Sequence, residues 1–308
     1  MPFVEIVNYM GVVTGGIPLD TLWSRQSVWS QAADEIKRRI GRARLARLCL
    51  AIAGAALGTG AVQAGQGQAG LARVLAALAA VALALIPVLG AAARTDSLRD
   101  WTGVRSVAET VKAEMFTYLA GVAPYRGPDR TRLLLDRTDE IFEEAGDLAR
   151  YTVGIDPRRR GLPPVHDVAG YLTERVNDQI DGYYDPRARE IHHMLRVLSR
   201  VQAGLAVVAA ALAAVTSIVP AVRLSAWAGV ITTVAAAMAT HVAAERLEYQ
   251  EVAFVRTAER LRSLRSRFAG SPPGEAAEDA FVEACEQVIA VQNDAWMIRL
   301  GSGVDADG

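Results

Sequence analysis

The sequence predicts an all-α integral membrane protein, in which two duplicated transmembrane helical hairpins carry long cytosolic helical extensions. Three observations lead to that fold class. Four stretches free of Asp, Glu, Lys and Arg, at Leu48–Ala72, Val74–Ala93, Val201–Val222 and Leu224–Ala244, are parted pairwise only by Arg73 and Arg223. A bilayer core about 30 Å thick needs roughly 20 apolar residues of helix, because backbone groups in lipid must be bonded within the helix itself. Arginine clusters stand before the first and third stretches and nowhere else beside them. Outside the stretches, apolar residues recur at alternating spacings of three and four, the mark of a helix with one packed face.

Taken in order, the opening segment 1–21 has neither a basic n-region nor a long apolar run, so it does not read as a signal peptide. Leu22, Trp29 and Ile36 then give the incoming helix an apolar stripe. Lys37, Arg38, Arg39, Arg42, Arg44 and Arg47 precede the first span, and Arg187, Arg189, Arg196 and Arg200 precede the third. Cytoplasmic flanks carry the excess of Lys and Arg, which predicts a multi-pass protein of the inner (cytoplasmic) membrane with both termini in the cytoplasm. The turns at Gln63–Gly70 and around Pro220 fall on the far side. Gly54 and Gly58 form a GxxxG pair suited to close helix packing, Pro87 predicts a kink in the second span, and Trp227 suits an interfacial anchor. Hairpins buried in a soluble helical protein are the alternative, since the stretches are rich in Ala and Gly, but their length and the one-sided arginine bias oppose it.

Beyond the second span, Trp101, Val104, Ala108, Val111, Met115 and Tyr118 make a heptad seam, and Leu247, Gln250, Phe254, Thr257, Leu261, Leu264 and Phe268 make another after the fourth. Both spans are therefore expected to continue as long helices, the first ending near Gly121 and Pro124. The Pro- and Gly-rich segment Gly121–Asp129 leads into a short acidic helix, and Asp156–Pro164 reads as a linker. A last break at Ala269–Gly274 precedes a helix from about Glu275 to Leu300, and the tail is expected to be disordered.

At an offset of 155 residues Tyr184 falls on Trp29, Glu190 on Glu35 and Ile191 on Ile36. At 150 residues Phe254 falls on Val104 and Glu259 on Glu109. Internal duplication is the simplest account. The expected organisation is an N-terminal segment 1–21, a first repeat 22–150 with its hairpin at about 48–93, a linker 151–166, a second repeat 167–300 with its hairpin at about 201–244, and a tail 301–308.

Candidate functional residues are few. His241, Glu245 and Glu248 share one face at the cytoplasmic end of the fourth span and are candidates for a pore mouth, since ionisable groups at membrane depth face water or the bundle interior. Ordinary head-group residues are the competing reading. His192 and His193 beside Glu190 lack metal-ligand spacing, and the run Asp139, Glu140, Glu143, Glu144 and Asp147 lacks the glycine turn of a calcium loop; both read as solvated faces. Cys49 and Cys285 support neither a disulfide framework nor a metal site. With no P-loop, Rossmann glycine pattern or nucleophile elbow, the sequence predicts no enzyme, no cofactor and no metal. A formal net charge of −1 gives no case for nucleic acid.

With the Trp29–Arg47 lead-in, the stretch Ala108-Glu109-Thr110-Val111-Lys112 and the closing Val291-Gln292-Asn293-Asp294-Ala295-Trp296 in view, the chain resembles the SLATT family, the SMODS- and SLOG-associating two-transmembrane effectors, in a duplicated four-span form. The resemblance implies an oligomeric pore-forming or membrane-disrupting effector of a bacterial conflict system, with the lipid bilayer, other copies of itself and a nucleotide-signalling partner protein or ligand in trans as its partners. It brings no catalytic residues. The alternative is a non-conducting scaffold or receptor whose cytosolic bundle docks a soluble partner.

Overall fold

In the computed structural model the chain is described over residues 19–65, 67–90, 95–218 and 225–301. Among these residues every regular element is helical and there is no strand, as the sequence predicts. The helices are α1 (Leu19–Ala64), α2 (Ala69–Gly90), α3 (Thr95–Ala120), α4 (Arg130–Glu144), α5 (Val168–Tyr171), α6 (Asp185–Ile218), α7 (Ser225–Glu245), α8 (Leu247–Ala269) and α9 (Glu275–Gly301). A 3-10 helix, Gly146–Thr152, follows α4, and a π-helix, Leu172–Tyr184, joins α5 to α6 without interruption.

Among the described residues three helices are long and apolar enough to cross a membrane: α1, α2, and the run Val168–Ile218 that ends in α6. In α7 the apolar part is shorter, Trp227–Thr240. The first and third spans thus sit at the ends of long unbroken helices. The fourth does not continue unbroken as expected, because Arg246, at φ 48°, ends α7 and α8 starts one residue later. Whether the second span continues into α3 falls at residues 91–94, outside the described residues.

The chain forms two compact units, each assembled from three separate stretches. The first takes residues through Asp34, Thr102–Asp178 and Ser263–Asp294. Its core is the α3 seam, where Val104, Ala108, Val111 and Met115 have no exposed surface. Leu22, Trp23 and Trp29 of α1 are buried, with Trp29 stacked on Phe142 of α4 and Trp23 edge-on to Phe116 of α3. Leu134, Thr138 and Phe142, four residues apart, form the buried face of α4, while Asp139, Glu140, Glu143 and Glu144 stay exposed. Gly121, at φ 69°, closes α3 where the helix-stop signals place its end. The segment Asp156–Pro164 is not a free linker: Trp23 donates to the Gly161 carbonyl (3.0 Å), Gln31 donates to the Asp156 carbonyl (3.0 Å), and the Arg158 N–H donates to Ser27 Oγ (3.1 Å). In this unit α9 is anchored by Phe281, stacked on Phe268 at 4.3 Å between centroids.

The second unit takes Glu35–Trp101, Gln179–Arg262 and the residues from Ala295 on. In it α1 packs on α2, and α6 on α7. Among the described residues of the apolar stretches the buried positions are Gly54, Ala61, Ala79 and Ala82, all small, and Val230 of α7. Most large apolar side chains point outward, among them Val62, Leu78, Val81, Val88, Val207 and Ile218, the last 78% exposed. A water-soluble hairpin would bury Leu and Val and expose Ala. The reverse, with small residues where backbones meet, is the packing expected in lipid.

Candidate functional site

The first unit holds a charged cluster around a cavity of about 640 Å³. Tyr171 and Arg175, four residues apart on the helix that starts at Val168, both reach Glu286 of α9. Tyr171 Oη donates to Oε1 (2.9 Å), Arg175 Nε donates to Oε1 (2.9 Å) and Arg175 Nη2 donates to Oε2 (2.8 Å). This two-pronged geometry suits a planar guanidinium and carboxylate. Arg175 is 1% exposed and lies over the Phe116 ring at 4.9 Å, so its charge is held between a carboxylate and an aromatic face. Its Nη1 is buried with no hydrogen-bond partner.

Across the cluster, α3 contributes Arg105, Glu109 and Lys112. Arg105 Nη2 lies 2.7 Å from Glu109 Oε1, one helical turn away. Burial raises the Glu109 carboxyl, but the surrounding cations Arg105, Lys112, Arg175 and Arg160 outweigh it and hold the group below the usual carboxylate range. Lys112 goes the other way: burial first, then the neighbouring Arg175 and Arg105, against the favourable Glu109, push its ammonium down to about 8. Burial, helped by Glu286, pushes the Cys285 thiol up to about 12, which makes it an inert core residue rather than a nucleophile.

The cavity is lined by five carboxylates (Glu109, Glu114, Asp279, Glu283 and Glu286) and two guanidiniums (Arg137 and Arg175). Four of the carboxylates have partners: Glu286 as above, Glu109 with Arg105, Glu114 with Tyr125 and Arg137, and Asp279 with Arg126 and the Ala123 N–H. Neither His nor Cys lines the cavity. Tyr171, Arg175 and Glu286 form a charged clasp that fastens α9 to the Tyr171–Arg175 turn beside α3.

The residues singled out from sequence fall elsewhere. Gly54 of α1 lies against α2, where a Cβ would stand 2.9 Å from Leu83 Cδ2; one at Gly58 would meet Ala79 Cβ at an ordinary 4.0 Å. Pro87 sits inside α2, which runs on to Gly90, and Trp227 is 38% exposed in the first turn of α7. His241 and Glu245 belong to α7, but their side chains lie outside the described residues. Glu248 is exposed in the first turn of α8, beyond the Arg246 break, so it does not continue the α7 helix that carries the other two. His192 is not simply solvated, since its Nδ1 meets Glu251 Oε1 at 2.8 Å. The Tyr171–Arg175–Glu286 clasp is not legible in the sequence because its halves are 111 residues apart; an arginine at helical spacing from Tyr171 and Val168 is its only trace there.

Residues 171–296 match the family described as SMODS and SLOG-associating 2TM effector domain 1, and residues 27–132 match a protein family of unknown function, DUF4231. No curated protein and no solved structure matches the chain. The resemblance read from the sequence thus holds over the second half, whose matched segment contains α6, α7 and the residues Tyr171, Arg175 and Glu286. Residues 171–296 are thus similar to a two-transmembrane effector domain, and the long apolar helices support a membrane location.

Proposed function

We propose that this protein is a membrane-permeabilising effector of a bacterial conflict system, acting as a homo-oligomer and not as an enzyme. It resides in the inner membrane as four spans with both termini cytoplasmic. The observation that carries the reading is the outward display of Val, Leu and Ile along α1, α2 and α6, with small residues in the helix contacts. Those surfaces need lipid or other copies of the chain. Four Ala-rich spans are too few to enclose a wide path in one subunit, so assembly is required. The first unit, with its charged clasp, is the part that receives the signal from a nucleotide-signalling partner in trans.

The test is dye and ion release from liposomes holding the full-length protein, with particle mass measured in detergent and membrane potential followed in cells expressing it. Release together with a multimeric particle is expected. Tight vesicles, an undisturbed potential and a strictly monomeric particle would overturn the proposal. If the protein worked with its spans replaced by an unrelated anchor, a scaffold role would take its place.

A further inference from the structure

The helix that starts at Val168 and runs unbroken to Ile218 contains a π-helical segment of 13 residues, Leu172–Tyr184. Such winding occurs mostly as single turns inside α-helices and frequently at functional sites, so three turns in succession require a cause. The burial pattern follows the winding. Tyr171, Val176, Ile180 and Tyr184 are buried, in steps of five, four and four residues, while Thr173, Glu174, Asp178, Asp181 and Gly182 between them are exposed. That is about 4.3 residues per turn, close to what an i→i+5 ladder requires.

An α-helix advances about 100° per residue, which would set Val176, Ile180 and Tyr184 roughly 140°, 180° and 220° away from Tyr171. Arg175 would stay within about 40° of Tyr171. In α winding the two residues that bond Glu286 and the apolar stripe therefore fall on opposite faces, and only the wider turn lets one face bury both. The stripe itself does not ask for the wider turn. Val176, Ile180 and Tyr184 continue into the buried Ala188 and Ile191 of α6 at steps of four and three, a regular α-helical face. What requires π winding is that Tyr171 and Arg175 also reach Glu286. This clasp is incompletely satisfied, since Arg175 Nη1 is buried with no hydrogen-bond partner, and it opposes a helix that α winding would hydrogen-bond equally well.

We propose that the Tyr171–Arg175–Glu286 clasp is a winding lock. Closed, it holds Leu172–Tyr184 as a π-helix; opened, it lets the segment rewind as α-helix and so lengthens the helix that leads to the apolar part of α6. The extension is about 4.5 Å, since α winding rises 1.5 Å per residue and the broader i→i+5 turn about 1.15 Å. The inference concerns winding alone and does not depend on pore formation.

The test is a distance between two nitroxide labels on full-length protein in detergent. In a background with Cys49→Ala and Cys285→Ala the labels are attached through Glu174→Cys and His193→Cys, both exposed and outside the clasp. As continuous α-helix that interval spans about 28 Å, and the parent should read about 3.5 Å less. Glu286→Gln should add a population at the α-helical distance. Tyr171→Phe, Arg175→Met and Glu286→Leu together remove the clasp without stranding a charge, and should move most molecules to that distance. Helicity and cooperative unfolding report which variants are folded. A parent already at the α-helical distance would overturn the proposal. So would an unchanged distance in whichever of the two variants is folded, since burial of the apolar stripe and not the clasp would then set the winding.

Discussion

At Lys112 burial and the Arg175 guanidinium oppose the ammonium more strongly than Glu109 favours it, and the folded-state value of about 8 lies below the ordinary 10.5. Between those two values the unfolded chain holds the proton and the folded chain does not. Stability therefore rises with pH from about 8 to 10.5. At pH 7 the charge is present in both states and costs stability in the folded one. Lys112→Met should raise the unfolding temperature at pH 7, by a free energy on the order of 1 kcal/mol, as apolar replacement of buried charge commonly does. Its advantage should shrink as the pH passes from 8 to 10.5. Glu109 keeps Arg105 at 2.7 Å in that variant, so no carboxylate is stranded. A lower unfolding temperature at pH 7 would mean that the Lys112–Glu109 attraction dominates.

Among the elements, α1 has 46 residues, about 69 Å of helix at 1.5 Å per residue, more than twice the hydrocarbon thickness. One helix can thus serve both as span and, nearer its start, as packing partner for α3. On the other side of the fourth span the chain does the opposite and breaks at Arg246, whose φ of 48° is left-handed. Such a conformation costs an L-residue about 1–2 kcal/mol and a glycine nothing. Arg246→Gly should leave thermal stability in detergent within about 0.5 kcal/mol, since relief of strain offsets the lost arginine contacts and the added chain entropy. Arg246→Val should lower it by about 1 kcal/mol or more, because a β-branched side chain tolerates that region worst. Equal unfolding temperatures for the two variants would show that the chain does not turn through the left-handed region there.

For the whole molecule, the arginine bias predicts the orientation that the proposed function requires. In a background with Cys49→Ala and Cys285→Ala, a cysteine at Gln68, exposed in the α1–α2 turn, should react with an impermeant maleimide from outside spheroplasts. One at Asp139, about half exposed on α4, should react only after permeabilisation. The reversed pattern would place the clasp unit outside the cell and remove the route by which a cytoplasmic signal reaches it.

The division between sequence and structure follows the range of the forces concerned. Legible in the residues alone were the helical class, the apolar helices long enough to cross a membrane, the α3 seam from Val104 to Tyr118 and the stop at Gly121, because hydropathy, heptad spacing and helix-ending residues act within a few turns of one helix. Only the tertiary structure decided that the Asp156–Pro164 segment binds α1, that α8 starts anew after Arg246, and that Arg175 meets Glu286. The cavity of the first unit also belongs to it, lined by residues from helices far apart in the chain. Such pairings depend on how helices cross and in what register. A buried arginine has no distinguishing mark in a sequence until the carboxylate that compensates its desolvation is brought to it in space.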